Sequence, residues 1–166
     1  MSGSKRAQPG RDVSVVLCGQ AGQGVQTVEF LLTRILKLAG YHVFATKEYM
    51  SRVRGGLNST TIRISDRPVA ALVNRIDILV ALNQGALSHV ADRLSDETIV
   101  LAEQATIGDD ENLESSHFLD VPFTQMATEI GNKIYSNIVA VGGLAGLLGI
   151  DLNPVTGYVR RFFTKK

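Results

Sequence analysis

"SVVLCGQAGQGVQTVEFLLTRILKLAGYHVFAT", residues 14–46, decides how this chain folds. Ser14 to Gly19 is a short β-rich run that ends at glycine, the pattern of a buried strand. From Val25 to Ala39 the apolar residues Val28, Leu31, Leu32, Ile35, Leu36 and Ala39 recur at helical spacing, and Gly40 follows as a stop signal. Tyr41 to Thr46 is the next β-rich run. Strand, glycine turn, helix and strand together predict a right-handed βαβ unit.

The rest of the chain extends that unit. Lys47 to Leu57 has no clean period and reads as a loop. Asn58 to Ser65 alternates, with Thr60, Ile62 and Ile64 opposite Thr61 and Arg63, as in a half-buried strand. Asp77 to Leu82 and Thr98 to Ala102 read as core strands, with a short helix in "QGALSHVADRL" between them. Gln104 to Ser116 is polar and reads as loop, His117 to Pro122 as a final strand, and Phe123 to Ile130 as a helix. Ile134 to Ile150 reads as a helix apolar nearly all round, which implies burial. Its Gly142 and Gly146, four apart, leave two readings open: an intrachain core helix or a close contact with another helix. Asn153 and Pro154 suit the cap and first position of a last helix. Strands alternating with helices predict an α/β, three-layer, Rossmann-like domain, its sheet mostly parallel and helices on both faces.

The 166 residues suit one domain, and 45% hydrophobic against 20% charged residues leaves enough apolar material for one core. Residues 1–12, "MSGSKRAQPGRD", lack an apolar signal region and read as a disordered lead, with the domain at 13–166. The longest apolar run, Ile138 to Ile150, is short of the roughly 20 residues a spanning helix needs, so a cytoplasmic protein with no membrane partner is expected. A single cysteine, Cys18, and no C-x-x-C or Cys/His cluster argue against zinc or iron–sulfur sites in this chain. At a strand end Cys18 reads as a small buried hydrophobe. His42, His89 and His117 stand far apart. No metal ligand and no catalytic set of Ser/His/Asp or Cys/His type is suggested.

Net charge is +1 but unevenly placed, with no sign of a nucleic-acid partner. Six basic and two acidic residues lie between Lys47 and Arg75, against ten acidic residues and one arginine between Asp92 and Glu129. A basic stretch near a glycine loop suits an anionic ligand.

The glycine loop, Gly19-Gln20-Ala21-Gly22-Gln23-Gly24, tests against three phosphate-binding patterns. Gly19 and Gly24 have P-loop spacing, but Val25 and Gln26 stand where lysine and Ser/Thr must hold the outer phosphates. In the dinucleotide pattern Ala21 takes the place where backbone must approach a pyrophosphate, and the second strand ends at Thr46 and Lys47 rather than at an acid. What remains is a glycine turn at a helix start, whose free N–H groups and dipole suit any anion, with the Thr27 hydroxyl as a further donor. A turn that only packs helix against strand stays equally open. "KEYMSRVRGG", residues 47–56, then offers Lys47, Arg52 and Arg54 for bidentate or point-charge contacts, and Gly55 and Gly56 for close backbone approach.

"GQAGQGVQT" (19–27) followed by "YHVFATKEYMSRVRGGLNSTTIRIS" (41–65) resembles the gamma subunit or gamma domain of 2-oxoacid:ferredoxin oxidoreductases. The resemblance runs from about Val13 to Phe163, and "EYMSRVRGG" looks most like the 2-oxoglutarate branch. It departs at Ala21, where many members have glycine. Members usually continue past the position of Lys166, so a separate subunit and a domain of a fused chain both remain open.

The resemblance implies a complex that oxidatively decarboxylates a 2-oxoacid with coenzyme A, giving an acyl-CoA, CO2 and reduced ferredoxin. Thiamine pyrophosphate, magnesium and iron–sulfur clusters would lie in partner domains. This chain would pair with alpha and beta subunits or domains and meet ferredoxin through the complex; separately, an exposed part of the apolar Ile138 to Ile150 surface would invite a homodimer when the chain is isolated. Carried over by position, Gly19, Gly22, Gly24 and Thr27 would form the coenzyme A turn, and Arg52, Arg54, Gly55 and Gly56 the neighbouring loop, with Lys47 beside it. The alternatives are an autonomous nucleotide-dependent oxidoreductase domain and a purely structural assembly module.

Overall fold

A computed structural model describes residues 12–20, 25–49, 56–108, 117–151, 156–157 and 160–161. Its strands are β1 (Val13–Gln20), β2 (His42–Tyr49), β3 (Leu57–Ser65), β4 (Ile78–Ala81), β5 (Ile99–Ala102) and β6 (His117–Asp120). The helices are α1 (Val25–Leu38), α2 (Ala86–His89), α3 (Gln104–Ile107), α4 (Phe123–Ile130) and α5 (Ser136–Leu147). One six-stranded sheet has the order β2-β3-β1-β4-β5-β6. β3 runs antiparallel to both its neighbours, and the β1, β4, β5 and β6 pairings are parallel.

β1 lies at the centre because its apolar run is continuous. Val15 and Leu17 face the helices α1 and α5, while Val16 and Cys18 face α2 and α3. Period-2 alternation thus feeds a core on each face of the sheet. α1 buries Val25, Val28, Leu31, Leu32, Ile35 and Leu36 on the first face. Gly40, at φ +88°, ends it in the left-handed conformation that a side chain resists.

The βαβ unit expected from residues 14–46 is present in split form. β1 and β2 point the same way, but β3 is inserted between them and pairs with both. The reason is local: β2 and β3 form an antiparallel hairpin, and the alternating Ile62 and Ile64 of β3 fit under α1 beside Val15. β2 runs to Tyr49, so Lys47 to Tyr49 are strand rather than loop. The polar stretch after β5 begins with a helical turn, Gln104–Ile107, because Ile107 seats in the second core.

α5 is shorter than the expected helix and buried on one side only. Ala140, Val141, Leu144 and Ala145 pack inward, with α1 and α4 as neighbours. Gly142 and Gly146 face outward, where an added Cβ would meet nothing within 4 Å. The last helix lies mostly outside the described residues, although 156–157 and 160–161 are helical. Residues 1–11 of the expected lead also lie outside them. No helix among the described residues is long and apolar enough to cross a membrane.

The amino end of β1 is pinned by charge. Arg63 donates from Nε to Asp12 Oδ1 at 2.7 Å and from Nη2 to Asp12 Oδ2 at 2.5 Å. Asp77 accepts the Ser14 N–H at 2.7 Å and pairs with Arg75 at 3.1 Å. The Arg63 hydrogen bonds, with the charges of Arg63 and Arg75, hold the Asp12 carboxyl below its ordinary value of 3.8. A carboxyl lowered by folding stabilises above its unfolded value and loses that contribution as pH falls through the folded one. Asp12→Asn should therefore lower Tm by the same amount from pH 6 to 8. That difference should shrink toward zero below about pH 4. A thermal melt series in pH checks this, and an undiminished difference at pH 3 would refute it.

Candidate ligand site at the carboxyl edge of the sheet

Because β1, β2 and β4 point the same way, their carboxyl ends share one edge of the sheet. β3 starts at that edge: Gln20 of β1 lies opposite Leu57, and Tyr49 of β2 opposite Asn58. The chain after β1 and the β2–β3 connection therefore leave the sheet with only β3 between them. In an open α/β sheet this edge is where ligands bind.

Four of the expected site residues are described there. Gly19 is buried near the end of β1, opposite Asn58, and Gly56 is buried just before β3. Thr27 stands half-buried in the first turn of α1, and Lys47 stands on β2. Thr27 and Lys47 line one surface groove of about 510 Å³ that follows α1, together with Phe30, Thr33, Arg34 and Lys37. Gly22, Gly24, Arg52, Arg54 and Gly55 lie outside the described residues.

The groove is cationic but partly compensated. Lys47 Nζ pairs with Glu29 Oε2 at 2.8 Å across the gap between β2 and α1. That hydrogen bond raises the Lys47 ammonium above its ordinary value, so it stays charged at neutral pH. Arg34 and Lys37 add positive charge one and two turns along the helix. Phe30 is 51% exposed, which sets an aromatic face beside these cations. The Thr33 hydroxyl is buried and has no hydrogen-bond partner among the described residues. An anion with a planar or hydroxyl-bearing moiety matches this lining.

Glu29, Phe30 and Thr33 join the site only through the fold. Phe30 carries a signal in the sequence: it breaks the polar side of α1, off the Val28–Leu31–Leu32–Ile35 stripe. Glu29 carries none, because its partner lies eighteen positions away on another element.

Neighbouring groups are set apart from this groove. Glu48 is exposed and accepts a hydrogen bond from Ser59 Oγ at 3.1 Å. As the neighbour of Lys47 in a strand it faces the opposite side of the sheet. Cys18 is fully buried, and burial pushes its thiol up to about 12. It is a core side chain, as its place in the sequence suggested.

A mixed sheet with helices on both faces defines an α/β domain of the Rossmann-like class. The chain belongs to the pyruvate ferredoxin/flavodoxin oxidoreductase family, whose match spans residues 14–166. It is 26% identical over 157 residues to the 2-oxoglutarate synthase subunit KorC of Archaeoglobus fulgidus, covering 93% of this chain and 81% of that one.

Two solved structures share the fold. One is the 2-oxoglutarate:ferredoxin oxidoreductase from Magnetococcus marinus with 2-oxoglutarate, coenzyme A and succinyl-CoA bound. It superposes with a TM-score of 0.82 at 22% identity over 93% of this chain, which spans 27% of that larger chain. The other is the gamma subunit of keto/oxoacid ferredoxin oxidoreductase from Geobacter sulfurreducens, with a TM-score of 0.72 at 21% identity over 89% of this chain and 84% of that one. The family expected from the glycine loop and the R-G-G stretch is the family found.

Proposed function

We propose that this chain is the gamma component of a 2-oxoacid:ferredoxin oxidoreductase acting on 2-oxoglutarate, and that it helps bind coenzyme A and assemble the complex. The observation that carries this reading is the family match along residues 14–166, together with a cationic groove that follows α1 from its start at the carboxyl edge. Coenzyme A fits the donor set. Its phosphates suit the Thr27 helix start together with Lys47 and the Arg34 and Lys37 cations farther along α1, its adenine suits Phe30, and its hydroxyls or amides suit the Thr33 oxygen, which has no partner among the described residues.

In this reading Gly19, Gly22, Gly24 and Thr27 form the turn that receives phosphate. Lys47, Arg52, Arg54, Gly55 and Gly56 form its basic flank. Coenzyme A supplies the thiol that accepts the acyl group, and the residues of this chain bind and orient it. Thiamine pyrophosphate, magnesium and the iron–sulfur clusters belong to alpha and beta partners, which pass electrons to ferredoxin. The complex resides in the cytoplasm, and the chain without its partners forms a homodimer.

Calorimetry on the purified chain and kinetics on the assembled complex test this. Micromolar binding of coenzyme A in preference to NAD is expected. Loss of one charge-assisted phosphate contact costs about 1.5 kcal/mol or more. Arg52→Ala or Arg54→Ala should accordingly raise the KM for coenzyme A about tenfold. NAD binding in preference to coenzyme A would overturn the proposal in favour of a nucleotide-dependent oxidoreductase. Coenzyme A saturation unchanged in both variants would remove these arginines from the site.

A further inference from the structure

Asn83 follows β4, two residues past Ala81, and Ala81 lies beside Cys18 in the parallel register. The Leu82 N–H donates to the Cys18 carbonyl at 2.9 Å, so the pairing with β1 continues to the threshold of Asn83. There the chain turns: the Ala86 N–H donates to the Asn83 carbonyl at 3.3 Å. Gly85 takes φ +85°, where a side chain is strained. A Cβ on Gly85 would lie 3.6 Å from Leu57 Cδ1, at the start of β3. β3 and β4 flank β1 on opposite sides. The Asn83–Gly85 turn therefore reaches across the carboxyl end of β1. β1 and β4 are also the strands between which the connections diverge, to β2 and β3 on one side and β5 and β6 on the other. That is the crevice in which open α/β sheets take ligands.

Asn83 is 8% exposed, and its Oδ1 is buried without a hydrogen-bond partner among the described residues. Buried side-chain polar atoms are almost always paired, and an orphan costs stability. An acceptor held that way at a binding crevice marks a group that a ligand completes. An amide oxygen repels phosphate oxygens, so its natural partner is an N–H donor from an uncharged part of the ligand.

We infer that Asn83 is a specificity-determining residue whose side-chain oxygen accepts a hydrogen bond from an N–H donor of coenzyme A, either the adenine amino group or a pantetheine amide. The inference rests on the coenzyme A reading above and deepens it. The basic groove engages what coenzyme A shares with every phosphorylated nucleotide. Asn83, on the opposite flank of β1, reads a neutral group that phosphate alone does not carry. Without ligand the oxygen has no partner among the described residues, a cost to the stability of the free chain.

The test uses the assembled complex, with Asn83→Leu, which keeps the branched shape without the polar atoms, and Asn83→Ala in case the larger leucine disturbs the turn. Expected is a rise of about tenfold in the KM for coenzyme A, with kcat within twofold of wild type. The melting temperature of the ligand-free variant should be unchanged or higher, since an orphaned acceptor has been removed. A merely structural asparagine would give the reverse, lower melting with unchanged KM.

Inhibition by adenosine 3′,5′-bisphosphate and by pantetheine, measured on wild type and variant, separates the two donor sources. The fragment that carries the donor loses potency in the variant, and the other does not. Wild-type KM in both variants would overturn the inference while leaving the coenzyme A reading intact. A wild-type complex that does not saturate with coenzyme A would instead overturn that reading.

Discussion

Leu32→Ala should destabilise the chain by about 3 kcal/mol, within the roughly 2–5 kcal/mol usual for truncating a buried leucine. Leu32 is fully buried in the middle of α1, in the same core as Val15, Leu17 and Ile62 from the sheet and Leu144 from α5. Two costs add: the transfer free energy of the lost methine and two methyl groups, and the cavity that surrounding side chains only partly fill. Collapse is restrained here because the pocket floor is sheet, held by strand pairing on both sides of β1. With a urea slope of about 2 kcal/mol per molar, the midpoint should fall by about 1.5 M. A fall below about 0.3 M would mean that α1 is not held to the sheet as described. The change also reports on function, since Thr27, Phe30 and Thr33 line the groove from the same helix. If the groove holds coenzyme A as proposed, Leu32→Ala should raise its KM before the fold is lost.

The second large effect is expected at Thr98→Val, a change of shape by almost nothing. Thr98 is fully buried at the start of β5. Its hydroxyl donates to the Ile76 carbonyl at 2.9 Å and accepts the Ser95 N–H at 3.0 Å. The two contacts tie the turn after the Ala91–Arg93 helical turn to the segment that leads into β4. Valine fills the volume and leaves the Ile76 carbonyl buried with no replacement for its donor. A stranded buried acceptor costs about 1–3 kcal/mol, and loss of the Ser95 contact adds to it, for roughly 2 kcal/mol in all. Thr98→Ser keeps the hydroxyl and should cost under about 1 kcal/mol. Equal losses in the two variants, by chemical denaturation, would show that the methyl group and not the hydroxyl matters.

Parts of the fold that depend on neighbours in sequence are legible in the sequence itself. β1 and α1 are such parts: a continuous apolar run ending at glycine, then six inward side chains at helical spacing. The place of β3 is not, because insertion between β1 and β2 is decided by a hairpin and by long-range register. Neither leaves a periodic trace in residues 14–46. α5 misleads in a specific way. Uniform apolarity implies burial all round, yet three of its residues are glycines, and two of these present backbone rather than side chain to the outside.

At the candidate site, Thr27 and Lys47 are legible as a helix-start donor and a strand-end cation. Their meeting in one groove, and the Glu29 that steadies Lys47, are tertiary facts. Asn83 has no signal at all, since "ALNQGA" reads as an ordinary turn until the burial of one oxygen is known.

The position of β1 has a consequence for the birth of the chain. It is a central strand of the sheet, and both of its partners are made after it. The first residue of β3 follows the last of β1 by 37 positions, and β4 begins 58 positions after β1 ends. At roughly 5–20 residues per second of synthesis, the run Val13–Cys18 waits on the order of seconds with its backbone groups unpaired. Such a run, rich in branched residues and free of charge, is the kind of segment that self-associates in other copies or binds a chaperone. Only α1 arrives in time to cover one of its faces, and a weakened α1 should therefore reduce soluble yield in the cell by more than its equilibrium cost implies.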